Sequence, residues 1–233
     1  MTSPLANLAP REHSCAPPGE LFPDWRRDFG RQGGQRLGLE IGPGHGHFAL
    51  DHAAAHPELD LVVIETRRAD VELIRERAGK RGLPNLIALH GDAKLLLHTL
   101  FAASSLHEVH VQFPDPWWKT RHHKRRLVDV ELATLLRRLL IASGEVDFRT
   151  DVPAYAREAV VTWEAAGFAN AAGAGQLWTE PPEVLSTRER RYAQTGQPVY
   201  RARFTNPPLE VPPEPPDELR SRTGREWTDV RRK

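Results

Sequence analysis

Three closely spaced glycines form the first chemical signal in the chain. Gly42, Gly44 and Gly46 lie in the run Leu39–Gly46, at the end of a short apolar stretch. Because glycine has no Cβ, such a turn can be tight and allows a ligand close to the backbone. Dinucleotide sites use the spacing G-x-G-x-x-G and place pyrophosphate at a helix terminus, whereas the spacing here is G-x-G-x-G. The turn predicts a nucleotide-like ligand but does not favour a pyrophosphate.

Three acidic residues refine the predicted ligand. Glu40 precedes the turn, where a carboxylate would repel a diphosphate and attract the ammonium group of a methionine moiety. Glu65 follows the glycines by about 20 residues, where an acidic residue accepts hydrogen bonds from both ribose hydroxyls. Asp92 follows another apolar run, and it could cap the next helix or contact an adenine amino group. Together these residues predict S-adenosylmethionine as the cofactor.

The elements that must position these residues alternate along the chain. Short apolar runs predict five strands, at Arg36–Ile41, Asp60–Glu65, Leu86–His90, Glu108–Phe113 and Gly144–Phe148. Helical patterns lie between and after them, at Phe48–His56, Ala69–Arg81, Ala93–Phe101, Leu127–Ile141 and Pro153–Ala166. Residues 170–178 and 199–204 are predicted as antiparallel strands that complete the sheet. This order predicts an α/β fold with mostly parallel strands and ligands at their carboxyl ends.

Composition indicates an ordinary globular protein with one domain. The 233 residues are 39% hydrophobic and 27% charged, and many of the 20 prolines lie near the two ends. We therefore expect a flexible arm over 1–20, a domain over 21–205 and a Pro/Arg-rich tail over 206–233. Cys15 is the only cysteine, which excludes an internal disulfide, and no signal peptide or membrane span is predicted. A cytoplasmic location is expected.

The segment Gln112–Leu127 is the most specific in the chain. It resembles the F-P-D-P-W-x-K-x-R-H-x-K-R-R-L signature of bacterial tRNA (guanine-N7-)-methyltransferases and matches it at every fixed position. The resemblance extends from about residue 36 to 204. It implies a Rossmann-like class I S-adenosylmethionine-dependent methyltransferase, with a mostly parallel seven-stranded sheet flanked by helices. It also implies methyl transfer to N7 of a guanine in the variable loop of tRNA, and it places the three glycines, Glu40, Glu65 and Asp92 at cofactor positions.

Asp115 is the predicted catalytic residue and a further cofactor contact. Pro114 and Pro116 should bias Phe113 and Asp115 towards extended conformations, which would hold this carboxylate stiffly at the edge of the cleft. Guanine N7 has an in-plane lone pair and no proton to lose, so methyl transfer needs alignment and charge stabilisation more than a general base. Asp115 is suited to face the positive charge that the purine acquires.

A basic run follows this loop. Residues 119–126 contain five lysines and arginines and two histidines with no acidic residue, although the net charge of the whole chain is only +1. Such a run can be a solvated face. Here we expect a helix to begin near Leu127, where cations would oppose the helix dipole unless a phosphate bound between them. The predicted RNA contacts are Arg121, His122, His123, Lys124, Arg125 and Arg126. Trp117 or Trp118 could stack on a base or pack beneath the loop.

The resemblance also implies substrate-binding residues elsewhere in the chain. Asp151 matches a family aspartate in a T-D pair. The family motif T-x-x-E-x-R corresponds to Ser186–Arg191, with serine in place of threonine, although a register that begins at Thr187 would lose the glutamate. The implied substrate contacts are Lys119, Asp151, Ser186, Glu189 and Arg191.

Metal binding and three other function classes are alternatives to this interpretation. His52 and His56 are one helical turn apart, but Pro57 follows and the sequence places no third ligand, so no metal is expected. The other classes are a nicotinamide-dependent oxidoreductase, another Rossmann-like RNA methyltransferase, and a non-catalytic RNA-binding protein of the same fold. We expect tRNA as the partner, no membrane association and no obligate protein partner. The sequence does not distinguish a monomer from a homodimer.

Overall fold

The structure is a computed structural model that describes residues 22–30, 36–118 and 120–208. The predicted arm over 1–20, residues 209–233 of the predicted tail and Lys119 lie outside these described residues, as do the side chains of His123 and Lys124. No helix in the described ranges is long and apolar enough to cross a bilayer.

The described residues form a seven-stranded sheet in the order β3-β2-β1-β4-β5-β7-β6. Its strands are β1 Arg36–Ile41, β2 Leu59–Glu65, β3 Leu86–His90, β4 Leu106–Gln112, β5 Leu140–Thr150, β6 Ala169–Asn170 and β7 Tyr200–Thr205. The first five pair in parallel, and β7 is antiparallel to β5 and β6. The predicted mostly parallel sheet is confirmed.

Helices connect the strands. They are α1 Trp25–Asp28, α2 His47–Ala55, α3 Arg68–Arg81, α4 Ala93–Leu100, α5 Val130–Leu139, α6 Pro153–Ala165 and α7 Thr187–Thr195, and a 3-10 helix spans Thr120–Arg125. The sheet is covered on both faces: in β2, Val62 and Ile64 join one apolar cluster, while Leu61 and Val63 join the other. This alternation is the expected period of two for a strand buried on both sides.

Three elements differ from the predicted boundaries by more than two residues. The helix expected from Leu127 begins at Val130, because the Asp129 side chain accepts a hydrogen bond from Leu132 N and caps the helix there. Strand β5 begins at Leu140, four residues before the predicted Gly144. The predicted strand over 170–178 is reduced to the two residues of β6 and a single bridge from Trp178 to Arg201, because the chain turns through Gly173 and Gly175 at positive φ.

The last glycine of the turn sets how closely α2 approaches α3. Gly46 caps α2 with a left-handed φ of 73°, and a Cβ added there would lie 2.4 Å from Ile74 Cγ1. Ile74 is fully buried in the apolar cluster beneath α3. Gly42 has a similar φ of 70° but no atom within 4 Å of its added Cβ.

Substitution at these two glycines separates backbone strain from overpacking. Gly46→Ala should lower the free energy of unfolding by about 2–5 kcal/mol. For alanine the left-handed conformation costs about 1–2 kcal/mol, and overpacking against Ile74 costs about 1–3 kcal/mol more. Gly42→Ala, the matched control, should lower the free energy of unfolding by about 1–2 kcal/mol, from the conformation alone. Urea unfolding measures both values, and equal decreases would show that contact with Ile74 is unimportant.

Candidate active site

A cavity of about 480 Å³ opens at the carboxyl ends of β1 and β4. Its walls come from β1, the glycine turn, the end of β4 and the start of α7. The lining includes Glu40, Gly42, Gly44, Gln112, Phe113, Ser186, Arg188 and Arg191. The structure therefore brings together the predicted cofactor turn and two members of the predicted substrate motif, at the sheet edge where ligands of parallel α/β folds bind.

Glu40 is a buried carboxylate with unused hydrogen-bonding capacity at this cavity. The residue lies on β1, only 1% of it is exposed, and Oε2 has no hydrogen-bond partner. Burial raises the pKa of Glu40 to about 8, against the opposing effect of His110 and Arg149. A cationic group bound in the cavity would satisfy the orphaned oxygen and restore its charge. Glu40 therefore fits the ammonium end of S-adenosylmethionine.

Glu65 supports the glycine turn from the end of β2. Its Oε2 accepts a hydrogen bond from Gly44 N at 3.0 Å, and its Oε1 accepts from Arg67 N at 2.9 Å and Thr66 Oγ1 at 3.0 Å. A carboxylate has about four acceptor positions, so about one remains for a ligand. The predicted contact to both ribose hydroxyls would require one of these internal bonds to open.

Asp92 caps helix α4. The exposed side chain accepts a hydrogen bond from Lys94 N at 2.9 Å, so the capping alternative is confirmed. A contact from Asp92 to an adenine amino group stays a prediction, because this residue does not line the cavity.

The loop that carries Asp115 is held in an unusual backbone conformation. Phe113 has a φ of 49° and Trp117 a φ of 45°, so the predicted extended conformation of Phe113 is wrong. Phe113 N donates to Arg149 O at 2.7 Å, and the Arg188 guanidinium lies 5.0 Å from the Phe113 ring, which together hold the strained residue in place. Asp115 is exposed, and its Oδ1 accepts from Trp117 N at 3.0 Å. The carboxylate is thus oriented by its own loop.

The two tryptophans of this loop have different surroundings. Trp117 packs against the basic run, with Arg125 Cζ 5.2 Å and the His122 ring 5.8 Å from its ring centre. Trp118 is 74% exposed. Of the two alternatives left open by the sequence, packing suits Trp117 and base stacking suits Trp118.

The basic run does not adjoin a helix start as predicted. Residues 120–125 of the run form the 3-10 helix, and residues 126–129 separate this helix from α5, so the dipole of α5 does not oppose its cations and gives no support for RNA contact. Arg121, next to His122, and Arg125 are exposed. Arg126 is only 8% exposed: it donates to Pro116 O, pairs with Glu158 and lies over the Tyr155 ring. Arg126 therefore anchors the loop and is not available as the RNA contact predicted for it.

The predicted substrate residues on α7 divide into two groups. Ser186 and Glu189 form a capping box, which supports the register that begins at Ser186. The Glu189 side chain is 1% exposed; Oε1 accepts from Arg201 Nε at 2.9 Å, and Oε2 accepts from Arg149 Nη1 at 2.7 Å. Glu189 therefore joins α7 to the sheet, and it is not available to recognise a guanine edge as predicted.

Arg191 is exposed and lines the cavity together with Arg188. Sequence reasoning missed Arg188, although spacing of three residues on one helix would have placed it beside Arg191. Asp151, at the end of β5, accepts from the Tyr192 hydroxyl at 2.6 Å and lies 3.8 Å from Arg188 Nη1. The end of β5 and the exposed face of α7 are thus connected by charge and hydrogen bonding.

Glu40 should ionise when the cofactor binds. An ammonium partner favours the carboxylate, so the pKa falls from about 8 and the chain releases close to one proton per cofactor at pH 6–7. Affinity should rise with pH across this window. Glu40→Gln should abolish the release and weaken binding by about 1.5–3 kcal/mol. Calorimetry in buffers of different ionisation enthalpy measures both effects; equal proton release by the two proteins would exclude Glu40 from the site.

Glu189 and Arg191 should respond differently to truncation. Glu189→Ala removes a carboxylate that binds a buried guanidinium, so the free energy of unfolding should fall by about 3 kcal/mol or more. Arg191→Ala removes an exposed side chain and should change stability by less than about 0.5 kcal/mol. Urea unfolding of both variants tests the assignment, and it fails if Glu189→Ala is as stable as Arg191→Ala.

Sequence relatives share most of the chain. Residues 35–202 match the family model described as "Putative methyltransferase". A tRNA (guanine-N(7)-)-methyltransferase of Anaeromyxobacter dehalogenans is 56% identical over 186 residues, which cover 79% of this chain and 92% of that protein. Another from Myxococcus xanthus is 43% identical over 189 residues, which cover 81% of this chain and 91% of that protein.

Solved structures share the fold at low sequence identity. The 16S rRNA methyltransferase KamB has a TM-score of 0.57 at 18% identity and covers 81% of this chain and 96% of its own. A 16S rRNA (adenine(1408)-N(1))-methyltransferase from Catenulisporales acidiphilia, solved as a mutant with the cosubstrate S-adenosylmethionine, has a TM-score of 0.54 at 17% identity, covering 81% of this chain and 92% of its own. The predicted Rossmann-like class I methyltransferase fold is confirmed.

Proposed function

The chain belongs to the family of tRNA (guanine-N(7)-)-methyltransferases, and from this premise we propose that it methylates N7 of a guanine in the variable loop of tRNA, with S-adenosylmethionine as methyl donor. The structural observation that carries the proposal is the buried Glu40 carboxylate with an unpartnered oxygen at the cavity beside the glycine turn. A diphosphate beside Glu40 would further oppose ionisation of this carboxyl group, whereas an ammonium group would favour it, which argues against the oxidoreductase alternative.

The residues of the chain divide the work of binding and orientation. S-adenosylmethionine supplies an electrophilic methyl group on a sulfonium sulfur when it is bound. Glu40 would hold its ammonium group, while Glu65 keeps the glycine turn in shape through Gly44 N and has capacity for about one ribose hydroxyl. These groups lie on strands or their ends, so their positions are fixed by the sheet.

Guanine N7 attacks through its lone pair, and no side chain has to remove a proton. The new N7–carbon bond forms as the sulfur–carbon bond breaks, the electron pair returns to sulfur, and the purine becomes cationic. We assign Asp115 the stabilisation of this positive charge, because its carboxylate is exposed and oriented by Trp117 N. Arg188 and Arg191, which line the cavity, are suited to phosphate or to the guanine edge.

The RNA contacts are proposed from exposure. Arg121 and Arg125 are exposed cations suited to phosphates, and the exposed Trp118 ring, which precedes them in the chain, is suited to stack on a base. Lys119, His123 and Lys124 remain predicted contacts. We propose that the enzyme acts on tRNA in the cytoplasm and needs no obligate protein partner, whether as a monomer or a homodimer.

Methyl transfer to unmodified tRNA is the decisive test. Purified full-length chain with S-adenosylmethionine should convert guanine to 7-methylguanine in bulk tRNA, identified by mass spectrometry of the nucleosides. Transcripts with the variable-loop guanine replaced by adenine should not react. A product methylated at another atom would favour another class of RNA methyltransferase, and tRNA binding without any product would favour the non-catalytic alternative.

Asp115 should affect turnover more than folding. Asp115→Ala should remove most of the single-turnover rate, by at least about 100-fold if the electrostatic effect is comparable to that of an oxyanion-hole donor. Asp115→Asn keeps an acceptor for Trp117 N and should retain more activity. Circular dichroism and S-adenosylmethionine binding are the controls. Parent-like rates for both variants would show that Asp115 has no catalytic role.

The salt dependence of tRNA binding should distinguish the exposed arginines of the basic run from the buried Arg126. The double variant Arg121→Gln with Arg125→Gln should weaken tRNA binding and flatten log affinity against log salt by about 0.7–0.9 for each phosphate that it no longer binds. Cofactor affinity should not change. Arg126→Gln should instead lower the stability of the fold, since its guanidinium is buried. An unchanged slope in the double variant would mean that this face is only solvated.

A further inference from the structure

A second cavity, of about 210 Å³, lies between α2 and the strands β4 and β5. Phe48 lines both this cavity and the first one, so the two cavities adjoin at this residue. Among its lining residues of metal-ligating type, His52, Glu108 and His110 lie close together, and none of these three has a part in the proposed methyl transfer.

These three side chains converge on one point. His52 Nε2 lies 2.6 Å and His110 Nε2 lies 2.8 Å from the same oxygen, Glu108 Oε1. The three ligand atoms all lie within 4.8 Å of one another. The side chains are 10%, 8% and 13% exposed for His52, His110 and Glu108, so the point is shielded from bulk water.

We propose that His52, Glu108 and His110 form a binding site for one divalent transition-metal ion, with zinc as the best match. Two imidazoles and one carboxylate are a frequent zinc ligand set. Because the three side chains line a cavity, a water molecule has room to occupy the fourth position. With zinc bonds of about 2.0–2.2 Å, tetrahedral ligand atoms lie about 3.3–3.5 Å apart, so the two imidazole nitrogens need to move from the carboxylate oxygen by less than about 1 Å.

The fold prepares each ligand. Glu108 and His110 are two residues apart on β4 and therefore point to one face, where α2 presents His52. Glu108 Oε2 accepts from Arg36 Nη2 at 3.0 Å, which orients the carboxylate and leaves Oε1 for the ion. Nε2 of both His52 and His110 faces Glu108 Oε1, while Nδ1 of each ring is buried without a hydrogen-bond partner.

The sequence did not predict this metal site because its ligands are far apart in the chain. Along α2, His52 and His56 have no third ligand after them. The structure pairs His52 with two residues of β4 instead, more than 50 positions away in the chain. His56 lines the same cavity but is directed to Glu58 and Glu183 at the surface, at 3.4 and 3.7 Å.

Zinc binding by the full chain tests the site directly. Protein stripped with EDTA should bind one zinc ion per chain in the presence of a competing chelator that suppresses weak surface sites, and calorimetry gives the affinity. Glu108→Gln and His110→Gln should each lower the zinc affinity by more than about tenfold, since even outer partners of metal ligands have effects of that size. His56→Gln, which changes a histidine of the same cavity outside the cluster, should bind like the parent.

The proposal fails if the two ligand variants bind zinc like the parent, or if His56→Gln loses as much affinity as they do. Circular dichroism and urea unfolding check that each variant is folded. If a variant does not fold, X-ray absorption of the zinc-loaded parent decides: a coordination sphere without two imidazoles would overturn the site. Because none of these measurements needs methyl transfer, their outcome is separate from that of the proposed function.

Discussion

The burial of charged side chains in the sheet determines how much of this structure is held together. The adjacent strands β1, β4 and β5 are covered by other elements, yet they carry Glu40, Glu108, His110, Asp147 and Arg149 in largely buried positions. An unpaired ion in such surroundings costs several kcal/mol. Each group must therefore find an opposite charge, give up its own charge or be reserved for a ligand.

These outcomes divide the interior into structural and functional parts. Arg149 pairs with Asp147 at 2.8 Å and with Glu189 at 2.7 Å, and this pairing draws the polar helix α7 onto the sheet. Glu108 is shared by two histidines and Arg36, and hydrogen bonds from both imidazoles help hold its pKa well below the usual range. Glu40 is different because its Oε2 has no partner, and burial favours its neutral form. A cationic ligand would supply the partner that this oxygen lacks.

The parts of the structure that follow from local pattern were predictable from the sequence. Alternating apolar runs and helices predicted strands β1–β5, and the G-x-G-x-G turn with Glu40 predicted one wall of the cavity. Helix α7 was not predicted as an element, because its sequence is polar and its inner face consists of Glu189 and Tyr192. The same limit explains Arg126 and Glu189: charge in a motif suggests a ligand contact, whereas burial, which only the fold shows, assigns both to the scaffold.

The two halves of the cavity are held in different ways, and Arg149 connects them. The part lined by Glu40 is built on a strand, but the part lined by Phe113, Arg188 and Arg191 depends on the 113–118 loop and on α7. Phe113 is held at a φ of 49° before a proline by the bond from its N–H to the Arg149 carbonyl and by Arg188 of α7 over its ring. The Arg149 guanidinium in turn binds Glu189 of α7. The loop that orients Asp115 and the helix that presents Arg188 and Arg191 are thus fastened to one residue at the end of β5, so a displacement of either element would disturb the other.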